Sequence, residues 1–151
     1  MGPIGIVAVV FVAIVAGVVF LAVATSLILR LIKRPLEARI AEVYRPDEIL
    51  MQDLAANTFG VESRGVWQGR GNGALVLTGD CLHFFRFVPG GDVRVPLESI
   101  REVTFTKTHL GKATIYDLVK VRFATDGASD SVAWYVTDPK AWKNRIDQLL
   151  P

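Results

Sequence analysis

The chain has 151 residues and a formal net charge of +2, with 17 Lys and Arg, 15 Asp and Glu, and one cysteine. Arg30, Lys33 and Arg34 are the only charged residues up to position 34, so residues 35–151 hold 14 cations against 15 acids, a net charge of −1. This balance excludes the strongly basic face of a nucleic-acid binder, and the lone Cys81 excludes an internal disulfide framework and suits a reducing compartment.

No side chain from Gly2 to Leu29 is charged. Within that stretch, 16 of the 24 residues from Ile6 to Leu29 are Ile, Leu, Val or Phe, and Gly17, Thr25 and Ser26 are the only departures from an apolar composition. As a helix this segment spans roughly 36 Å, enough to cross a bilayer. At about −0.3 to −0.6 kcal/mol for each large apolar residue, insertion is favourable by at most roughly 5 to 10 kcal/mol. The first 32 residues are therefore read as a transmembrane anchor, with Pro3 tolerated in its first turn.

All three flanking cations follow the apolar run, so the positive-inside bias places the N-terminus outside a cell membrane and the C-terminal part in the cytoplasm. The competing reading is a cleaved signal peptide, since Ala22-Val23-Ala24 has the small residues of a cleavage site. Against it stand the missing basic n-region and an apolar run about twice the usual length. Ala13 with Gly17, and Ala22 with Ser26, have the spacing that lets two such helices approach, which suggests a homodimer through the anchor.

Residues 33–47 read as a juxtamembrane linker. Leu31 to Pro35 forms a basic collar, and Pro35 predicts a break. Leu36, Ile40 and Val43 then recur at i, i+4 and i+7, which predicts a short amphipathic helix ending before Pro46. It is either a solvated stalk or a helix lying on the membrane surface.

Residues 48–151 read as one mainly-β domain, large enough to bury its own core. Strand-like runs are predicted around Val61–Gln68, Ala74–Leu77, Cys81–Val88, Asp92–Pro96, Ile100–Lys107, Leu118–Ala124 and Val132–Val136, with a further one near Ala113–Tyr116. Gly79-Asp80 and Pro89-Gly90-Gly91-Asp92 supply turn chemistry between them. At the end, Asp138-Pro139 is an N-cap followed by a first-turn proline, and Trp142, Ile146, Leu149 and Leu150 fall on one helical face. About seven antiparallel strands followed by one amphipathic helix predict a small barrel capped at one end.

Gly73-Ala74-Leu75-Val76-Leu77-Thr78, then Leu82-His83-Phe84, then Val95-Pro96-Leu97-Glu98-Ser99-Ile100 resemble the PH-like superfamily in its GRAM and bacterial PH-like branches. There a G-x-L-x-L-T, L-x-F, I-P-L-x-x-I text runs through the second to fifth strands, and the match departs from it where Val95 replaces Ile. Ala56–Ser63 and Ser131–Val136 are similar to segments of bacterial membrane-anchored proteins of this type, for which no activity is settled. The resemblance covers about residues 60–150 and implies a seven-stranded antiparallel barrel with a C-terminal helix. In lipid-binding PH domains, basic residues of the first strand-strand loop hold phosphoinositide phosphates. The corresponding segment here, Arg64 to Arg70, has those two cations and no dense cluster.

Four local patterns bear on chemistry. Gly69-Arg70-Gly71-Asn72-Gly73 is followed by a strand, not by the helix N-terminus that a phosphate loop needs, and reads as an inter-strand loop. Cys81, His83 and His109 are the soft metal-ligand candidates; Cys81 and His83 share a strand face, but two ligands do not make a zinc site, so no metal or cofactor is expected. Neither His lies near a Ser in a nucleophile turn, and no enzyme is expected. Finally, Thr106 to Lys112 is the locally basic loop of the domain, where Lys107, His109 and Lys112 around Gly111 would add to Arg30, Lys33 and Arg34 in attracting an anionic head group. The expectation is a membrane-anchored binding or scaffold module with a protein or peptide partner and no nucleic acid. The alternative is a reader of anionic lipid head groups at its own membrane.

Overall fold

The computed structural model describes residues 2–88 and 90–151. Pro89, expected in the Pro89–Asp92 turn, lies outside the described residues. The chain divides into two compact units, Met1–Pro35 and Leu36–Pro151. One helix, α1 (Pro3–Val43), contributes to both, and Pro35 lies inside it.

The first unit is helical and apolar, long enough to cross a membrane, and no part of its most apolar stretch is buried against protein. Among the described residues, the Ile, Val, Leu and Phe side chains from Ile4 to Leu31 are exposed. The two hydroxyls are satisfied within the helix: Thr25 donates to the Leu21 carbonyl and Ser26 to that of Ala22, both at 2.8 Å. That back-bonding lets polar side chains sit in an apolar solvent.

The second unit is a seven-stranded antiparallel sheet followed by a helix. Its strands are β1 (Met51–Val61), β2 (Gly71–Leu77), β3 (Cys81–Arg86), β4 (Val93–Pro96), β5 (Ile100–His109), β6 (Lys112–Thr125) and β7 (Ala128–Tyr135). The order across the sheet is β4-β3-β2-β1-β7-β6-β5, with no ladder between β4 and β5 among the described residues. One core nonetheless takes side chains from all seven strands, including Leu75, Phe84, Val95, Val103, Val121 and Trp134. The sheet must therefore curl so that both of its ends face the same interior. Helix α2 (Pro139–Asp147) adds Trp142 and Ile146 to that core, and the Asp138 carboxylate caps it by accepting the Ala141 N–H at 3.0 Å.

Three expectations need revision. The first strand is not Val61–Gln68 but Met51–Val61, whose first half, Met51-Gln52-Asp53-Leu54-Ala55-Ala56, has little intrinsic strand preference, and which pairs with β2 on one side and β7 on the other. Residues 62–70 form instead a 3₁₀ turn (Glu62–Arg64) and a loop. The run Ala113–Tyr116 is not separate, because it continues into Leu118–Ala124 as one long β6.

The third revision concerns the linker. Pro35 does not break the helix, and the folded unit begins at Leu36, ahead of the expected boundary at 48. Leu36, Ile40 and Tyr44 are buried against Ala74, Val76, Cys81 and Phe85, with Ile49 and Leu54 at the edge. Val43, expected on the apolar stripe, is exposed. The reason lies in β2: Ala74-Leu75-Val76-Leu77 is apolar at every position, as in a strand buried on both faces. Leu75 and Leu77 enter the main core, and the opposite face needs a cover that the end of α1 provides.

Candidate functional site

The predicted basic loop is a hairpin bonded down onto the end of β1. Its turn, Leu110-Gly111, has φ of +50° and +74°, the tight-turn geometry that glycine adopts freely and leucine rarely does. His109 is buried, and its Nε2 lies 3.0 Å from the Gly60 carbonyl oxygen, so this nitrogen carries the hydrogen and donates. Lys112 Nζ donates to the Phe59 carbonyl at 3.2 Å. Burial pushes the His109 pKa below its ordinary value, aided by Lys120 and Lys112 and opposed by the Gly60 bond and Glu62. Lys107 is exposed, at a register shift between Thr106 and Thr108. Thus two of the three predicted side chains hold backbone carbonyls, and Lys107 alone points to solvent. Beside His109 is a small cavity of about 290 Å³, walled in part by Glu62 and Lys120.

A denser polar cluster lies where the end of α1 meets β3. The Tyr44 hydroxyl is 2.9 Å from His83 Nδ1 and 3.3 Å from Cys81 Sγ, while Arg94 Nε donates to the same sulfur at 3.3 Å. All groups are satisfied if the thiol donates to Tyr44, Tyr44 donates to His83, and Arg94 donates to the sulfur. Arg94 also pairs with Asp80 at 3.2 Å, and the Thr78 hydroxyl donates to Asp80 at 2.5 Å and holds that carboxyl below its usual range. Burial, then the hydrogen bond with Cys81, pushes the Tyr44 hydroxyl well above its usual value, and burial lowers His83. Chemically this is a hydrogen-bonded path from a buried thiol to an imidazole. Structurally it fastens α1 to the sheet.

Sequence spacing places Cys81 and His83 on one face, and the structure does bring them together. Arg94 lies directly opposite His83 in the β3–β4 ladder, a neighbour that the hairpin register implies. Tyr44 could not be foreseen, because its segment reads as a linker.

Two open grooves meet at this cluster. One, about 570 Å³, runs past Cys81, Pro96, Leu97, Glu98 and Leu149; the other, about 540 Å³, runs past Val43, Tyr44, Asp47, Glu48 and Leu50. Gly79, Asp80 and Arg94 line both. The Arg94–Asp80 pair between them is exposed, with side chains 56% and 70% accessible.

The glycine run from Gly69 ends inside β2. A Cβ on Gly73 would overlap the Phe85 carbonyl and the Phe84 ring, so this glycine serves close strand packing. Arg30, Lys33 and Arg34 all fall within α1.

The fold so defined is an N-terminal helix able to span a membrane, joined to a seven-stranded antiparallel sheet with a C-terminal helix. No protein-family model matches the chain, and no curated protein does. Among solved structures it is similar to the C-terminal domain of an unknown protein from Leishmania infantum, at 11% identity and a TM-score of 0.47 over 68% of this chain and 84% of that chain.

Proposed function

We propose that this is a single-pass membrane protein with its N-terminus outside the cell, presenting a PH-like barrel in the cytoplasm as a binding and scaffolding module without catalysis. The strand order, with one core shared by all seven strands and a helix closing it, supports the PH-like reading. The observation that carries the binding reading is the pair of grooves meeting at Arg94. An exposed ion pair contributes only about 0 to 1 kcal/mol, so a carboxylate from a partner peptide can take the place of Asp80 at little cost. The apolar walls, Pro96, Leu97 and Leu149 on one side and Val43 and Leu50 on the other, would hold the flanking residues.

The test is photo-crosslinking in native membranes from Asp47 and Glu98, both exposed in the grooves, with Asp126 in the β6–β7 turn as control. Discrete protein adducts from the two groove positions, lost in Arg94→Glu, are expected. Adducts to lipid alone would contradict the reading.

The anionic head-group alternative is weighed by vesicle binding of a soluble fragment, residues 36–151. In this fragment Lys107, with partial help from Lys112, supplies about 1 to 2 kcal/mol, which means millimolar or weaker binding. Salt-sensitive micromolar binding that vanished in Lys107→Ala, Lys112→Ala would favour the lipid reader instead.

A further inference from the structure

Four large apolar side chains stand in water at one end of the sheet. Trp67 is 97% exposed beside exposed Val66 in the β1–β2 connection, and Phe87 and Val88, 43% and 67% exposed, follow β3. Both connections leave the same end of the meander: Thr58 pairs with Gly71, Gly73 pairs with Arg86, and the Phe87 N–H donates to the Asn72 carbonyl at 2.8 Å.

Neither tip is slack. Gln68 accepts from the Val61 N–H at 3.0 Å and donates to the Val61 and Gly65 carbonyls. Arg70 donates to the Ala113 carbonyl at 2.8 Å and lies over the Phe59 ring. The Arg86 N–H donates to Asp92, which also pairs with Arg39 at 2.7 Å. Bonds on both sides thus hold the tips outward, and an apolar surface held in water marks a contact site.

Chain connectivity says what lies nearby. Arg39 binds the Arg86 carbonyl while Tyr44 binds Cys81 and His83, so this segment runs antiparallel to β3 and begins at the Phe87 end. Arg39 follows Arg34 by five residues, no more than about 18 Å of chain whatever path it takes. A bilayer that holds Arg34 at its surface is therefore within reach of these tips, and tethering raises its effective concentration far above that of a free partner. Trp is the residue of the head-group boundary, and the exposed Arg64 beside it suits an anionic leaflet.

We propose that this end of the domain rests on the bilayer carrying the anchor, with Val66-Trp67 and Phe87-Val88 in the boundary between head groups and acyl chains. The inference rests on the reading of residues 3–34 as a membrane span. Its test uses the full chain in phosphatidylcholine and phosphatidylglycerol vesicles, reading tryptophan emission. Trp134 and Trp142, 0% and 3% exposed, are shielded from quenchers, so Trp67 is the reporter. Lipids brominated on the upper acyl chain should quench it, aqueous iodide on both sides should not, and Trp67→Phe should abolish the lipid-dependent quenching. Phe87→Asp should reduce that quenching while the chain still floats with the vesicles. Free quenching by iodide without quenching by brominated lipid overturns the proposal, as does shielding from both, which would mean a protein surface covers Trp67. If alkaline carbonate strips the chain from the vesicles, the span itself fails and the proposal falls with it.

Discussion

The two parts of helix α1 on either side of Pro35 share a secondary structure and differ in how their apolar side chains are distributed. Before Pro35 the helix shows Ile, Val, Leu and Phe on every side and, among the described residues, buries none of them in protein. After it, only Leu36 and Ile40 turn inward, Glu37, Glu42 and Val43 face water, and Arg39 reaches the Asp92 carboxylate. An all-round apolar helix asks for lipid, whereas an apolar stripe asks for one protein face. The second part thus belongs to the folded domain as fully as α2 does, although it covers the opposite face of the sheet.

Substitutions grade this contrast. The largest effect is expected in α2: Trp142→Ala should lower the unfolding free energy of the 36–151 fragment by about 3 to 5 kcal/mol in urea titrations. Ile40→Ala should follow at about 2 to 4 kcal/mol, because its smaller cluster leaves a shallower cavity. If Ile40→Ala changed nothing, the post-Pro35 segment would be a stalk after all. Arg39→Ala should cost about 1 kcal/mol, since its pair with Asp92 is partly exposed. Val18→Ala, measured in the full chain, should leave domain unfolding within about 0.5 kcal/mol of the parent.

Acid should loosen the α1 contact at His83 and the seat of the β5–β6 hairpin at His109. His83 and His109 both have pKa values depressed by burial below the ordinary 6.5, so the unfolded chain takes up protons first as pH falls. Their contribution is complete above about pH 6.5 and declines below it toward the folded-state values. Urea midpoints of the 36–151 fragment should fall between about pH 7.5 and pH 5.5, and His83→Gln should flatten the decline. A midpoint that rose on acidification would contradict the buried neutral histidines.

Long uniform patterns were legible in the sequence and locally ambiguous ones were not. The apolar run to Leu29, the hairpin at Gly79-Asp80 and the Asp138-Pro139 helix start are each set by neighbouring residues, and the structure bears out the helix, the hairpin and the cap. β1 is held by ladders to two distant strands and overrides the preferences of Met51, Gln52 and Leu54. The docked end of α1 was hinted at by the unbroken apolar text of β2, but which segment covers that face depends on tertiary contacts. The same holds for the cluster at Tyr44: Cys81, His83 and Arg94 are read from strand register, while Tyr44 enters from outside the sheet.

The claim that matters most is that the first part of α1 crosses the cell membrane and leaves the domain in the cytoplasm. Membrane-impermeant thiol labelling of intact cells tests it directly, because native Cys81 is buried and each introduced cysteine is read alone. Cysteine at Gly2 should be labelled on intact cells, and cysteine at Ser129, exposed at the start of β7, only after permeabilisation. Labelling at Ser129 but not at Gly2 on intact cells would contradict the account.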